Sequence, residues 1–423
     1  FAASDGEELP GGVRVSREGG ARVEDCVKVA FADDAWRSFL VRHAGSDLRL
    51  TVTANGRIVR EGTVRVAAEP IDPKLVFRLV APGYGVYGRM SIVERNLTTF
   101  EERTLADNFD QPVDGRTCIN CHTPLRHSSD EYLRHSRGPG GGLRFVTRTH
   151  GEGFAADLRP EGWTGRGGLS YSAWHPSGEF VAFSATETRQ QFFLADPAKI
   201  EVQDLRGQLT LYSLGDGRLT TVPGRPGDLE CYPTWDPTGK LLFTCCAETA
   251  FTNDLANAQE RAATLAGAYA NIYYGVRVRR FDSATRTLSE PERVIDGNAS
   301  RMSCAFPRVS PDGRWMVLTV SPFGVFPIWH KAADLWLLDL QTFKTRPLAE
   351  LNSPETESWH EFSSDGRWMV FSSRRGDGTF TRPWIARFDA AEGRFDRPFP
   401  LPLRDPDDDF RRMQSYNLPT FVK

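Results

Sequence analysis

One phrase recurs four times in the second half of the chain and constrains its fold more than any other feature. Ser172-Ala173-Trp174-His175-Pro176-Ser177-Gly178 runs into the apolar stretch Phe180–Phe183, and Pro233-Thr234-Trp235-Asp236-Pro237-Thr238-Gly239 runs into Leu241–Phe243. Pro307-Arg308-Val309-Ser310-Pro311-Asp312-Gly313 leads to Trp315–Leu318, and His360-Glu361-Phe362-Ser363-Ser364-Asp365-Gly366 leads to Trp368–Phe371. Each reads as a strand, a tight turn and an apolar strand. A second strand pair follows each phrase, at Leu209–Val222, Val276–Val294, Leu335–Leu348 and Trp384–Pro398. Two hairpins make one four-stranded blade, and repeated blades predict an all-β chain folded as a β-propeller. Composition agrees: 38 Gly and 27 Pro, with 11% aromatic residues, suit turns and flat packed strands.

Equivalent positions 174, 235, 309 and 362 are separated by 61, 74 and 53 residues, so the units carry insertions. The longest interval holds Thr252–Ala270, whose Leu255, Ala262, Leu265 and Tyr269 predict a helix laid against the propeller. Earlier segments supply weaker units. Ser91–Phe100 parallels Trp336–Phe343, and Leu143–Leu158 reads as a hairpin. The count is six blades, with seven as the alternative. Residues 1–70 read as a small N-terminal β domain, with Asn55-Gly56 marking a hairpin between Leu48–Val52 and Ile58–Arg60. The propeller then spans 71–423, after Glu69-Pro70-Ile71-Asp72-Pro73.

Seven cysteines are too few for a disulfide scaffold, and two of them carry chemistry. Cys118-Ile119-Asn120-Cys121-His122 is C-x-x-C-H, the attachment motif of c-type heme. Thiols three positions apart reach the two vinyl groups on one porphyrin edge, and the adjacent imidazole sits beneath the iron. A redox dithiol would open a helix within a βαβ unit, and a zinc ribbon would need a second C-x-x-C; neither context is present. The expectation is one heme c, with Cys118 and Cys121 as thioethers and His122 as proximal ligand. Its segment, 107–142, is expected to be a loop inserted among the blades. His135 is the expected distal ligand, because Arg137–Gly142 would let a loop fold over the porphyrin; Met90, another residue or no ligand at all are the alternatives. Covalent heme is attached outside the cytoplasm, so the chain is read as periplasmic or extracellular, with Phe1 following a cleaved export signal.

Net charge is −3, from 52 basic and 55 acidic residues, which speaks against nucleic acid as a partner. No run of eighteen apolar residues is present to span a membrane. His175, His330 and His360 fall near the repeated phrases; a shared metal site competes with the plainer reading of hydrogen bonds to neighbouring carbonyls. Cys231 and Cys246 flank one hairpin and could pair, with Cys245 and Cys304 competing and Cys26 unassigned. Asp405 and Asp407–Asp409 lack a calcium-loop pattern and read as a solvated loop.

The repeats resemble those of the TolB-like propeller superfamily, whose blades carry a P-x-W-S-P-D-G phrase. More narrowly, the chain resembles exported bacterial propellers with one c-type heme motif, often labelled TolB-like or cytochrome c biosynthesis proteins. Matching segments run from about 75 onward: Cys118–His122, His135-x-Arg137-Gly138, Trp174-His175-Pro176, Pro307–Gly313, Ile328-Trp329-His330-Lys331 and Ser415-Tyr416-Asn417. Ser136 replaces a Met common after the His of H-x-R-G, which favours His135 over a methionine there. The expected function is a monoheme c-type cytochrome on a propeller, transferring single electrons to a redox protein or multiheme cytochrome, within a membrane-associated complex of the envelope. A scaffold or partner-binding propeller with a structural or sensory heme is the alternative, and a heme peroxidase the third. An electron carrier or binding protein is favoured over a catalyst.

Overall fold

The computed structural model describes residues 14–17, 27–30, 33–54, 57–81, 90–109, 118–137, 143–147, 151–156, 158, 160, 168–192, 200–249, 260, 263–264, 267–403 and 411–423. Two units separate, Phe1–Ile71 and Asp72–Lys423. In the first, Arg14–Arg17 pairs with Val27–Ala30, and Asp47–Ala54 pairs with Arg57–Arg65. The expected Asn55-Gly56 turn itself lies outside the described residues. A ten-residue helix, Asp33–Arg42, precedes the hairpin and is an addition to the expected β domain. Its Phe39 packs on Leu48, with Trp36 and Leu40 beside them, so residues three and four apart face one small core.

The second unit is built from antiparallel sheets arranged as a propeller. Cys118–Leu125, Ser128–Arg137, Leu143–Thr147 and Gly151–Ala156 form one sheet in that order. Gly168–Trp174, Phe180–Phe192, Ile200–Ser213 and Leu219–Thr221 follow. A single parallel bridge, Gly207–Leu229, joins these to Asp228–Trp235, Leu241–Glu248 and Gly275–Asp282. Ser303–Val309, Trp315–Ser321, Asp334–Asp339 and Thr345–Pro347 make the next sheet, and Glu357–Phe362, Trp368–Ser373, Arg382–Asp389 and Arg394–Phe395 another. Ser415–Val422 returns to pair with Lys74–Val80, which continues to Ser91–Asn96 and Glu102–Asp107. Middle strands are covered on both faces by neighbouring sheets. Trp315–Ser321 and Trp368–Ser373 are therefore buried at every position, which explains their near-continuous apolar runs.

The repeated phrase closes the first hairpin of its sheet and also touches the sheet before it. Leu241 N donates to Asp236 Oδ1 (2.7 Å), and Trp315 N and Trp368 N donate to Ser310 Oγ and Ser363 Oγ (3.0 Å each). Trp174 Nε1 donates to Thr123 O (2.9 Å) and Trp235 Nε1 to Ala173 O (3.2 Å), each tying its strand to the preceding sheet. Gly239 has φ +71, and a Cβ there would lie 2.2 Å from His175 Nε2. Gly239→Ala should therefore cost about 2 kcal/mol or more, from left-handed strain and the clash together. Thermal scans should show this loss, whereas Gly215→Ala, with open space around it, should match wild type; equal Tm values for both variants would contradict the contact.

Within the segment expected as an inserted heme loop, the described residues 118–137 form a hairpin of a four-stranded sheet, and 110–117 and 138–142 lie outside the described residues. Leu125 pairs with Ser128 around Arg126 and His127, whose φ values of 51° and 59° make a two-residue turn of the hairpin-favoured hand. Most of Thr252–Ala270 lies outside the described residues; its end is the 3-10 turn Tyr269–Asn271.

Candidate functional site: the propeller channel and the C-x-x-C-H strand

Six strands drawn from along the chain line one cavity of about 180 Å³. Five of them carry one extra residue at the same place, where the register shifts between Ser170 and Ala173, Cys231 and Thr234, Ala305 and Arg308, Ser358 and Glu361, and Asn417 and Thr420. At each bulge one residue takes a positive φ: Tyr171 (49°), Tyr232 (52°), Phe306 (52°), Trp359 (44°) and Leu418 (54°). Bulky residues adopt that conformation only where surrounding structure imposes it, at about 1–3 kcal/mol each. All five line the cavity. Neighbouring rings touch: Tyr171 to Tyr232 at 4.3 Å, Tyr232 to Phe306 at 4.6 Å, and Phe306 stacked on Trp359 at 3.8 Å between centroids. Two residues beyond their bulges, Arg308 and Glu361 join in an ion pair of 2.7 Å on the cavity wall. The result is an aromatic throat with one charged pair.

The sixth strand is Cys118–Leu125. Its register shifts between Asn120 and His122, which makes Cys121 the extra residue in backbone terms. Its side chain lies outside the described residues, as does that of Asn120. Cys118 is half-buried, with Sγ 3.9 Å from the buried Met90 Sδ. Ile119 is fully buried against Val76, Ile92, Ala106 and Val422. His122 is buried on the cavity wall, with Nε2 3.4 Å from Val76 O. Burial, and then the Arg78 charge, outweigh the carbonyls of Val76 and Leu418 and hold its pKa at about 4.

A covalent heme needs both thiols along one porphyrin edge and the imidazole under its centre, which calls for a compact turn. Residues 118–122 are extended here, so the backbones of Cys118 and His122 stand roughly 13 Å apart at the usual strand rise. His135 pairs with Asn120, and the next pair is His122 with Arg134. Successive strand residues face opposite sides, so the His122 and His135 rings lie on opposite faces of the sheet and cannot flank one iron. The two expected iron ligands are thus not brought to one face of this strand pair. The cavity is also smaller than the 300–1,000 Å³ or so that holds drug-sized ligands, and a porphyrin is at least that large. The donors are those of a covalent heme in kind; the two with described side chains, Cys118 and His122, do not fit one on this extended strand.

The other histidines do not converge. His175 Nε2 meets Gly239 O at 3.0 Å while Nδ1 meets Ser177 Oγ at 2.8 Å, and burial lowers its pKa against the raising effects of the Gly239 carbonyl, Glu179 and Asp236. His360 Nε2 meets Val317 O at 2.9 Å, and burial holds its pKa at about 3. His330 pairs with Glu201. No cluster of metal-ligating groups occurs among the described residues.

Of the cysteine pairings left open, Cys231 with Cys246 is not the one the strand register brings together. Cys231 faces Cys245 across the hairpin and Cys246 faces Glu230, because neighbours in a strand alternate faces. All four of Cys231, Cys245, Cys246 and Cys304 are buried free thiols, and burial raises each pKa, that of Cys304 to about 12. Cys26 and Asp405–Asp409 lie outside the described residues. The aromatic throat was the feature sequence reading missed. Its signal was the aromatic or leucine before Pro-x at Tyr232-Pro233, Phe306-Pro307 and Leu418-Pro419.

No helix among the described residues is long and apolar enough to cross a membrane. No family model matches the chain, and no curated protein matches it. Among solved structures the chain is similar to TolB from Acinetobacter baumannii, with 13% identity and a TM-score of 0.49 over 93% of this chain and 86% of that one. It is similar to the Cps50 (Swd1) β-propeller domain of Myceliophteria thermophila, with 11% identity and a TM-score of 0.41 over 79% and 89%. Hydrazine synthase of Kuenenia stuttgartiensis is similar at 14% identity and a TM-score of 0.38, over 67% of this chain and 65% of that one.

Proposed function

We propose that this chain is a binding protein of the cell envelope, a six-bladed TolB-like propeller that recruits a protein partner at its channel. The observation that carries it is the aromatic throat, where Tyr171, Tyr232, Phe306 and Trp359 ring a concave site beside the Arg308–Glu361 pair. Aromatic anchors in a concave site with few polar groups are what partner recognition uses. Six blades are supported by the six strands that contribute to one cavity, and by the return of Ser415–Val422 to the first sheet. A photo-crosslinking residue at Thr420, on the cavity wall, should give one discrete adduct in cells. The same probe at the exposed Lys344 should not. Identical adducts from both positions, or none from Thr420, would defeat this reading.

A second reading, a monoheme c-type cytochrome, is favoured by the C-x-x-C-H spacing of Cys118, Cys121 and His122. It requires residues 118–122 to leave the inner strand. One heme per chain in a pyridine hemochrome assay, lost on Cys118→Ser, would establish it; export into a compartment that attaches heme, with no heme gained, would remove it.

A further inference from the structure

We infer that His122 is a tie between adjacent sheets, the counterpart of His360, and is not an iron ligand. The inference is independent of the channel-binding reading.

The two histidines occupy one position of the repeat. Each follows a bulged residue of an inner strand, Cys121 in one sheet and Trp359 in the other. The alignment is fixed one residue further on, since Trp174 Nε1 donates to Thr123 O as Trp235 Nε1 donates to Ala173 O. Each ring reaches into the preceding sheet, His122 Nε2 to Val76 O at 3.4 Å and His360 Nε2 to Val317 O at 2.9 Å. Those acceptors are equivalent too. Val76 pairs with Thr420 and Val317 with Arg308, and Thr420 and Arg308 each stand two residues after the bulge residues Leu418 and Phe306. Both rings are more than nine-tenths buried, and in both Nδ1 meets no geometric hydrogen-bond partner among the described residues.

A ring nitrogen that faces a carbonyl must carry the proton, so each imidazole is the Nε2–H tautomer and donates. Iron would need the Nε2 lone pair, and that proton would have to leave with nothing left to give Val76. The pentapeptide is also held from a second point, because Arg78 Nη1 donates to Ile119 O at 3.2 Å. His122 and Ile119 together stitch the strand to its neighbour.

The test compares four full-length variants with wild type in thermal unfolding: His122→Ala, His360→Ala, His122→Gln and His360→Gln. Both alanine variants should lose several degrees of Tm. Both glutamine variants, whose amide can donate to the same carbonyl, should recover at least half of that loss. In protein exported with heme-attaching machinery, any c-type bands should keep their position and shape in His122→Gln. A His122→Ala protein with wild-type Tm overturns the inference, as does failure of glutamine to recover stability at 122 while succeeding at 360. A shift of the heme bands in His122→Gln also overturns it.

Discussion

Replacing Arg279 by alanine is expected to lower the unfolding free energy by about 3–5 kcal/mol, a large share of a typical domain's stability. Arg279 is almost wholly buried and meets Glu230, which is equally buried, through Nη2 at 3.2 Å and Nε at 3.4 Å. Its remaining donors reach Ser289 O (3.0 Å) and Pro223 O (3.2 Å), so one guanidinium joins three segments of the sheet. Removing it strands the Glu230 carboxylate in a dry environment, where Thr244 Oγ1 (2.7 Å) is its remaining hydrogen-bond donor among the described residues. The loss should be read as a shift of the urea midpoint. Glu230→Leu combined with Arg279→Met should recover much of it, because no uncompensated charge then remains. An alanine variant within 1 kcal/mol of wild type would show that the pair is not buried as described.

Stability should also fall steeply between pH 6.5 and about 4. The pKa of His122 is held at about 4 and that of His360 at about 3, in each case first by burial. The unfolded chain takes up a proton on each near 6.5, while the folded protein does not, so unfolding binds protons throughout that window. The contribution is complete above pH 6.5 and is lost as pH falls through the folded values. It amounts to roughly 3 kcal/mol for His122 and roughly 5 kcal/mol for His360. His175, lowered by burial as well, acts with the same sign. Carboxylates held below their usual range, such as Glu94 and Glu350, add to the loss only at lower pH. The interval from pH 6.5 to 5 therefore reports chiefly the histidines, with Glu357 and Asp334, raised by burial, acting in the opposite sense. Differential scanning calorimetry across it should show a falling Tm, and His360→Gln should flatten the slope; a flat wild-type profile would contradict the burial of both rings.

The propeller was legible because its turns are written in residues with few alternatives. Gly239 and Gly366 need positive φ, and the preceding Asp236 and Ser363 cap the following strand, so the phrase could hardly mark anything else. The Ser91–Phe100 parallel, read from the likeness of the two runs, extends to their turns: Phe100 N donates to Asn96 O as Phe343 N does to Asp339 O, both with positive φ. The hairpin at 118–137 was illegible for the converse reason. Its turn uses Arg126 and His127 in left-handed conformations, with no Gly, Asn or Pro to announce it. A cofactor motif on the first strand then drew the whole segment into a loop. At the site, single residues could be named from spacing, but which face of a strand each occupied depended on one bulge. That bulge sends His122 toward the preceding sheet and leaves His135 on the other side.

The strand Ser415–Val422 has a temporal meaning as well as a spatial one. Lys74–Val80 is made early and waits, with one edge unpaired, for a partner that emerges after every other sheet. A chain delivered from its N-terminus, by a ribosome or through a translocation pore, cannot complete this ring progressively. Its closing contact spans almost the whole propeller, which slows folding and leaves an open edge exposed to other chains meanwhile. Val76 lies on that waiting strand, so the acceptor for His122 is set only when the ring shuts. A polypeptide stopped before Ser415 would thus lack more than eight residues: the ring would stay open, and quality control would meet a product with a free edge in place of a finished protein.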